Sequence, residues 1–296
     1  MSESTSTVAA EAVTLREVKP DDAKECARIC FEAFGGIDDH HRFPRDFPSL
    51  EFAEGLMQAF VGSPVNWGVV AEANWRIVGS NFLLESDPIA GVGPISVDPK
   101  HQGGGVGRKL MEAVIERGKA APGTRLLQGS FNMRSLSLYA SLGFEEREPV
   151  LWMSGEPRSG PVKGIEVRPV REDDLDECEA LCKKVHGFER TNELRGAMHA
   201  FAPYVALRDG RVSAYATTVT FWPMAHGVAE TDEDMHALLR GVEAAVDDPL
   251  AILVPLRSPL FHWCLAEGLR SLKPMNVMTL GTYQEPRGSW FPSVLY

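Results

Sequence analysis

The most informative stretch of the sequence is Val97-Asp98-Pro99-Lys100-His101-Gln102-Gly103-Gly104-Gly105-Val106-Gly107-Arg108. It joins the end of a predicted strand to the start of a predicted helix. Glycines let a backbone turn tightly and approach a ligand, consecutive amides can bind an anion, and the positive end of a helix favours phosphate. Arg108 can add a bidentate charged contact. The stretch therefore predicts a turn that binds pyrophosphate.

Two other phosphate-binding loops do not fit this stretch. The dinucleotide motif G-x-G-x-x-G fails because Gly103 and Gly105 would require a third glycine where Arg108 stands. The motif G-x-x-x-x-G-K-[ST] does not occur in the chain. Glycine-rich turns without a ligand are common, so the turn alone does not establish which ligand it binds, if any.

Short apolar runs and amphipathic stretches alternate on both sides of the turn. We expect strands at residues 14–18, 67–72, 77–85, 92–97 and 126–129. We expect helices at residues 21–34, 49–61, 105–117 and 135–142. This order indicates an α/β fold in which helices pack on the faces of a mixed sheet.

The first strand and helix recur in the second half of the chain. Residues 15–35 align with residues 167–187 at a constant offset. The identical positions are Arg16, Val18, Asp21, Asp22, Glu25, Cys26, Cys30 and Gly35, which match Arg168, Val170, Asp173, Asp174, Glu177, Cys178, Cys182 and Gly187. Each copy predicts a strand, an acidic cap at Asp21 or Asp173 and an amphipathic helix.

The boundary between the copies is predicted at residues 154–164, where Ser, Gly, Pro and Lys replace the apolar pattern. The expected organisation is a disordered N-terminal arm at residues 1–13, a first domain at 14–153 and a second domain of the same ancestry at 165–296. The predicted fold class is therefore two tandem mixed-sheet α/β folds.

The five cysteines are odd in number and lack C-x-x-C spacing, so a disulfide framework is not supported. Two of them lie one turn apart on each repeated helix, which favours small apolar core residues. That spacing also permits a soft-metal site, but no further Cys or His lies nearby to complete it.

Composition excludes several classes of protein. The 296 residues are 44% hydrophobic and 24% charged, with no apolar run of eighteen residues and no basic, apolar leader at the start. We therefore expect no membrane span and a cytoplasmic location. The formal net charge of -11 argues against a nucleic-acid partner and favours a cationic one.

Residues 102–107 resemble the Q/R-x-x-G-x-G/A signature of the GNAT superfamily of N-acetyltransferases, and Arg108, Leu110 and Met111 continue it. A second segment resembles the family pattern N-x-x-S/A-x-x-x-Y-x-x-x-G-F. Its matching residues are Asn132, Ser135, Leu138, Tyr139, Leu142, Gly143 and Phe144. The resemblance covers residues 14 to about 153, and the second half resembles the same fold more weakly. The chain is thus similar to a tandem GNAT protein.

The resemblance implies a sheet that is splayed open beside the strand ending at Val97, with acetyl-CoA bound in the gap and no metal. The amide of Val97 would face the thioester oxygen and stabilise the oxyanion that forms during attack. The residues implied to contact acetyl-CoA are Ile95, Ser96, Val97, Gln102, Gly103, Gly104, Gly105, Val106, Gly107, Arg108, Asn132, Ser135 and Tyr139.

The resemblance also implies two catalytic residues. Tyr139 stands where the family often keeps a general acid, and a phenol with an ordinary pKa near 10 can return a proton to the departing thiolate. The alternative for Tyr139 is simple packing on a half-buried helix. Asn132 either orients the cofactor amide or a water, or only forms the turn at the strand end.

The residue that deprotonates the acceptor amine is left open, because residues 91–95 of the fourth strand contain no carboxylate. Glu85 and Asp87 lie just upstream. Further candidates in the predicted loop after the first helix are Asp38, Asp39, His40 and His41. This Asp-Asp-His-His run also resembles a metal-binding sequence, although adjacent loop residues more often face solvent.

The second copy lacks the features of the predicted site. In place of the glycine turn it carries Glu230-Thr231-Asp232-Glu233-Asp234, whose carboxylates would repel a pyrophosphate. Aligning Gly268 with Gly143 places Cys264 opposite Tyr139. We therefore expect the second half to bind no cofactor and to form one wall of the acceptor site.

The chain ends in Trp290-Phe291-Pro292-Ser293-Val294-Leu295-Tyr296, which is too apolar for a frayed tail. We expect this segment to be buried as the last strand of the second sheet, with Pro292 leaving the strand partly unpaired or late to begin. The alternative is that its terminal carboxylate enters the first domain as the missing base.

The predicted function is transfer of an acetyl group from acetyl-CoA to the amine of a small cationic acceptor. A protein amine, a longer acyl chain and a homodimer are each compatible with the sequence. The alternative from another class is an acyl-CoA-binding sensor or interaction module without chemistry.

Overall fold

A computed structural model describes residues 12–295. Most of the predicted N-terminal arm and the carboxylate of Tyr296 lie outside the described residues. The strands are β1 (Thr14–Glu17), β2 (Asn66–Ala73), β3 (Arg76–Leu84), β4 (Ile89–Val92), β5 (Ser96–Val97), β6 (Gly123–Gly129), β7 (Glu145–Gly155), β8 (Ile165–Pro169), β9 (Tyr204–Arg208), β10 (Arg211–Ala216), β11 (Gly227–Ala229), β12 (Leu250–Pro255), β13 (Arg270–Gly281) and β14 (Ser289–Phe291). The α-helices are α1 (Ala23–His41), α2 (Leu50–Gly62), α3 (Val106–Gly118), α4 (Met133–Ser141), α5 (Leu175–His186), α6 (Thr191–Ala200), α7 (Asp232–Glu243) and α8 (Pro259–Glu267).

The larger sheet runs through both halves of the chain. Its strands follow the order β1-β2-β3-β4-β6-β13-β7-β12, with β5 paired to β3. The halves exchange strands, since β13 lies between β6 and β7 while β7 lies between β13 and β12. The pairing of β13 with β6 extends from Met275↔Gly129 to Gly281↔Gly123. Each half is therefore completed by a strand of the other.

The smaller sheet has the order β14-β11-β10-β9-β8 and belongs to the second half. Its edge strand β14 pairs antiparallel with β11 from Gly227↔Phe291 to Ala229↔Ser289. The aromatic chain end is therefore a buried strand of the second sheet, as expected. The expectation that Pro292 delays the start of the strand is wrong: β14 ends before Pro292, because a residue without an amide hydrogen ends the ladder.

The sequence repeat is also a structural repeat. Arg16 binds both carboxylate oxygens of Asp22, at 2.6 and 3.0 Å, and Arg168 binds those of Asp174 at 2.7 and 2.8 Å. Asp22 and Asp174 each also accept a backbone N–H three residues upstream, at 2.7 Å. The capping carboxylates are therefore these residues, one position after those predicted from the sequence.

Helix α1 continues seven residues beyond the predicted end. It passes through Gly35 and ends at His41, and the next residue, Arg42, has a left-handed φ of 60°. A Cβ on Gly35 would lie 3.3 Å from the Arg45 guanidinium carbon, so the chain after the helix folds back across this glycine. Tertiary packing therefore extends the helix where the local sequence indicates a break.

The five cysteines are free and buried, in agreement with their predicted core role. Burial raises the pKa of Cys26 and of Cys182 to about 11, so both thiols remain protonated and unreactive. Within residues 12–295, the helices are too short or too polar for a membrane crossing.

Candidate active site

The larger sheet opens between β4 and β6. These strands run parallel only from Ile89↔Gly123 to Gly91↔Arg125. Beyond Val92 the chain leaves β6, and β5 pairs with β3 through Gly79↔Val97 and Ser80↔Ser96. The strand predicted at residues 92–97 is thus two strands, and the opening beside it is part of a cavity of about 960 Å³.

The backbone amide of Val97 faces this opening. Val97 is opposite Gly79, and the N–H of Asp98 donates to the carbonyl of Val78 at 2.9 Å. Hydrogen-bonded and non-hydrogen-bonded pairs alternate along an antiparallel ladder, so Val97 belongs to a non-hydrogen-bonded pair. Its N–H therefore points away from β3, toward the splayed side of the sheet.

The glycine turn is shaped by its own polar groups. The Asp98 carboxylate accepts the Lys100 N–H at 2.9 Å, and the Gln102 side-chain amide donates to the Val97 carbonyl at 3.1 Å. Gly103 and Gly105 have φ of 86° and 83°, a conformation that suits glycine. A Cβ added to either glycine would meet nothing within 4 Å. The turn therefore leaves open space in front of α3.

Two guanidinium groups border this space. Arg108 lies in the first turn of α3, lines the cavity and donates to the Ser141 hydroxyl at 2.6 Å. Arg134 lies in the first turn of α4 and donates to the Gln102 side-chain oxygen at 3.3 Å. Arg134 was not predicted from the sequence, although it is a cation within the second family-like segment and could have been proposed as a phosphate contact. The helix N-terminus and two cations make this end of the cavity suited to phosphate.

Tyr139 lines the cavity from α4. Its side chain is 7% exposed and packs 6.3 Å from the Phe144 ring, between centroids. Burial raises the pKa of the Tyr139 hydroxyl well above its usual value near 10. The phenol is therefore protonated throughout the neutral range.

Asn132 caps the start of α4. Its side-chain oxygen accepts the Ser135 N–H at 3.2 Å. The Gln128 side-chain amide donates to the Asn132 carbonyl at 2.8 Å and to the Ser135 hydroxyl at 3.0 Å. Through these contacts, Asn132 and Ser135 hold the start of α4 at the cavity wall.

The Asp38-to-His41 run lies on the last turn of α1 rather than in the predicted loop. His40 and His41 line the cavity, while exposed Asp39 points to Arg45 and binds it at 2.9 Å. The residues diverge because consecutive positions on a helix face different directions. Across residues 12–295, no three His, Cys, Asp or Glu side chains converge as metal ligands.

The structure does not bring Glu85 or Asp87 to the cavity. Glu85 forms an ion pair with Arg117, with 2.9 Å between Oε2 and Nη2. Asp87 accepts the N–H groups of Asn192 and Glu193, both at 3.0 Å, at the start of α6. Both carboxylates therefore already have partners away from the gap.

A buried ion-pair cluster in the cavity wall was missed from the sequence. Lys273 on β13 places its Nζ 2.5 Å from Asp38 and 2.7 Å from Asp46. The Asp38 and Lys273 side chains are each 1% exposed, whereas that of Asp46 is 11% exposed. Local sequence carried no signal for this cluster, because its members lie more than two hundred residues apart.

The environment of Asp46 shifts its titration toward neutrality. Burial raises the pKa of Asp46 to about 6, and the nearby Asp38 adds to the rise. The Lys273 ammonium opposes both effects. Desolvation dominates because a carboxylate in a poorly hydrated wall is costly to ionise.

The second half closes the cavity, as expected from its predicted role as a wall. Its lining residues are Phe221, Trp222, Pro223, Met224, Lys273, Met275, Val294 and Leu295. Leu295 lies against Gly91, where β4 and β6 separate, since a Cβ on that glycine would stand 2.6 Å from the Leu295 carbonyl oxygen. The N–H of Val294 donates to the Pro223 carbonyl at 2.9 Å, which holds this segment in place.

The equivalent helix start in the second half is occupied by its own side chains. The Thr231 hydroxyl accepts the Asp234 N–H at 3.2 Å, and the Asp234 carboxylate binds Arg208. Cys264 and Tyr139 have the same local contact, because the carbonyl of each accepts an N–H five residues later, at 2.9 and 3.1 Å. A capped, carboxylate-rich terminus is poorly suited to an anion.

Comparison with known proteins agrees with this geometry. Residues 66–146 match the acetyltransferase (GNAT) domain family. The match to this domain family lies within the first half of the chain. A stretch of 148 residues is 30% identical to an uncharacterized N-acetyltransferase of Methanocaldococcus jannaschii, covering 46% of this chain and 62% of that protein. The matched part is thus less than two thirds of that relative.

Solved structures extend the fold likeness to both halves. A candidate acetyltransferase from Pyrococcus horikoshii superposes with a TM-score of 0.75 at 15% identity, over 100% of this chain and 98% of the other. A tandem GNAT protein from the clavulanic acid biosynthesis pathway superposes with a TM-score of 0.54 at 12% identity, over 92% and 100%. The predicted pair of tandem GNAT-like α/β folds is confirmed.

Proposed function

We propose that this protein transfers the acetyl group of acetyl-CoA to the amine of a small cationic acceptor. The observation that carries the proposal is the splayed gap between β4 and β6, which opens beside the glycine turn at the start of α3. The gap has room for the extended thioester arm of the cofactor. The turn, with its neighbouring cations, can bind the pyrophosphate.

The backbone and the cations divide the binding of acetyl-CoA between them. Gly103 and Gly105 leave room for phosphate, while Arg108 and Arg134 supply positive charge. The outward N–H of Val97 is available to the thioester oxygen. A donor fixed there stabilises the negative charge that develops on this oxygen, without the reorganisation that water would need.

The reaction is direct attack through a tetrahedral intermediate. The acceptor ammonium first loses a proton to water, and its nitrogen then forms a bond to the acetyl carbon. The carbon–sulfur bond breaks as the oxyanion collapses, and the nitrogen releases its second proton to solvent so that a neutral amide forms. The CoA thiolate takes a proton from Tyr139, which regains one from solvent. The position of Tyr139 in the cavity lining supports this role, because a general acid must lie within reach of the departing thiolate.

Release of free CoA thiol from acetyl-CoA, measured with a thiol reagent across a panel of amines, tests the proposal. Amine-dependent release with formation of the N-acetyl product is the expected result. Tight acetyl-CoA binding without turnover of any amine would contradict catalysis and favour a sensor of acyl-CoA. Absence of acetyl-CoA binding would contradict both functions.

A further inference from the structure

Aromatic rings from both halves of the chain wall part of the cavity. We call the part lined by Phe34, Phe47, Phe52, Phe131, Phe221 and Trp222 the aromatic chamber. Phe34 packs on Phe47 with 5.3 Å between ring centroids, and Phe52 packs on Phe221 at 5.9 Å. Phe34, Phe52, Phe131 and Phe221 remain only half-buried. A ligand that covered these rings would remove apolar surface from water.

The ion-pair cluster that borders the chamber holds two carboxylates and one ammonium, so one carboxylate is in surplus within it. Lys273 lies 5.4 Å from the centroid of the Phe131 ring and is balanced by Asp38. Asp38 also accepts the backbone N–H of Asp46 at 3.1 Å. Asp46 shares the same lysine and is the most exposed member of the cluster. Its negative charge is therefore the one that a ligand can neutralise.

We propose that the aromatic chamber selects an acceptor whose primary amine is carried on an aromatic or long aliphatic body. Its ammonium binds at Asp46, and its apolar body packs against Phe52 and Phe221. The inference deepens the proposed acetyl transfer and rests on it.

The chemistry of the lining distinguishes this acceptor from more polar amines. A polyamine or an amino sugar carries several polar groups, which the rings of the chamber could not hydrogen-bond, so binding would leave them without water or a partner. A single ammonium is compatible with the lining, because aromatic faces and one carboxylate both attract a cation. An apolar body adds affinity through the surface that it buries.

Calorimetry on the CoA-saturated protein at pH 7.5 tests the inference with three probes. We expect 2-phenylethylamine to bind about 100-fold more tightly than ethylamine, which lacks the body, and at least tenfold more tightly than 2-phenylethanol, which lacks the charge. Asp46→Asn should weaken 2-phenylethylamine at least tenfold. Asp247→Asn, on the exposed surface, is the matched control and should leave the affinity unchanged.

Phe52→Ala separates the apolar contact from the charge. It should weaken 2-phenylethylamine at least tenfold and leave ethylamine unchanged. Equal affinities for the two amines in the parent protein, or an unchanged affinity in Asp46→Asn, would overturn the inference. Loss of 2-phenylethylamine binding when octanoyl-CoA replaces CoA would assign the chamber to a long acyl chain and also overturn it.

The thiol-release assay keeps this inference distinct from the proposed function. Selective binding of 2-phenylethylamine without acetylation of any amine would contradict the proposed function but support a pocket for apolar amines. Acetylation of spermidine or ethanolamine as efficient as that of 2-phenylethylamine would contradict the proposed acceptor class while supporting acetyl transfer.

Discussion

Lys273 Nζ lies 2.7 Å from Asp46 Oδ1, although the two residues are 227 positions apart in the chain. Lys273 belongs to the strand that the second half inserts between β6 and β7, whereas Asp46 follows the first helix. The ion pair therefore forms only after the halves have exchanged strands. It ties the wall of the candidate active site to the correct assembly of both halves.

Removing this lysine should destabilise the fold. In Lys273→Met, Asp38 and Asp46 would remain in the wall without a cation, and stranding buried charges in this way costs about 3 to 5 kcal/mol. The free energy of unfolding from urea titration measures the effect. Lys183→Met, which removes an exposed ion pair with Glu179, should cost under about 1 kcal/mol. Equal losses in the two variants would contradict a structural role for the cluster.

Asp46 should make stability depend on pH. Its pKa is about 6 in the folded protein and about 4 in an unfolded chain, so folding binds a proton between these values. Its contribution is fully present below pH 4 and is lost as pH rises through 6. Relative to Asp46→Asn, the parent should lose about 2 to 3 kcal/mol of unfolding free energy over this range. A pH-independent difference between the two unfolding curves would show that Asp46 is not shifted.

Replacing Gly105 with Asp should abolish acetyl-CoA binding. The new carboxylate would enter the open space in front of α3 and repel the pyrophosphate. Calorimetry should show at least a 100-fold loss of affinity, and one site per chain in the parent. Gly164→Asp is the matched control, because Gly164 also has a φ of 83° and open space around its Cβ position. Unchanged affinity in Gly105→Asp, or two sites in the parent, would contradict the assignment.

Replacing Tyr139 with Phe should separate binding from chemistry. The change deletes only the hydroxyl, so acetyl-CoA affinity should hold while turnover falls tenfold or more. Steady-state kinetics with any acetylated amine, together with calorimetry, measure the two effects. Full turnover in Tyr139→Phe would assign this residue to packing and leave water to protonate the thiolate.

Removing the chain after Gly288 should destabilise the protein. The truncation deletes β14, and with it Trp290, Phe291 and Leu295, which are at most 7% exposed. Burial of three large side chains contributes on the order of 5 kcal/mol, so the melting temperature should fall by about 10 °C or more. Differential scanning calorimetry gives the measurement, and an unchanged melting temperature would show that β14 is dispensable.

The features that depend on neighbouring residues could be predicted from the amino-acid sequence alone. The glycine turn before α3 was predictable because positive φ angles and free amides are local properties of glycine. The Arg16–Asp22 and Arg168–Asp174 contacts recur because the spacing of each pair is repeated in the chain. Most of the predicted strands and helices of the first half agree with the structure within about three residues.

The pairing of strands and the side chains that meet in the cavity, by contrast, depend on how distant parts of the chain assemble. Alternating apolar residues indicate a strand but not the strand with which it pairs. The exchange of β7 and β13 between the halves could therefore not be predicted from the sequence. The glycines at residues 35 and 36 predicted that the first helix ends there. Packing against Arg45 and Lys273 instead lets α1 continue past them. The Asp46–Lys273 pair was hidden for the same physical reason, since long-range contacts arise from assembly of the whole sheet.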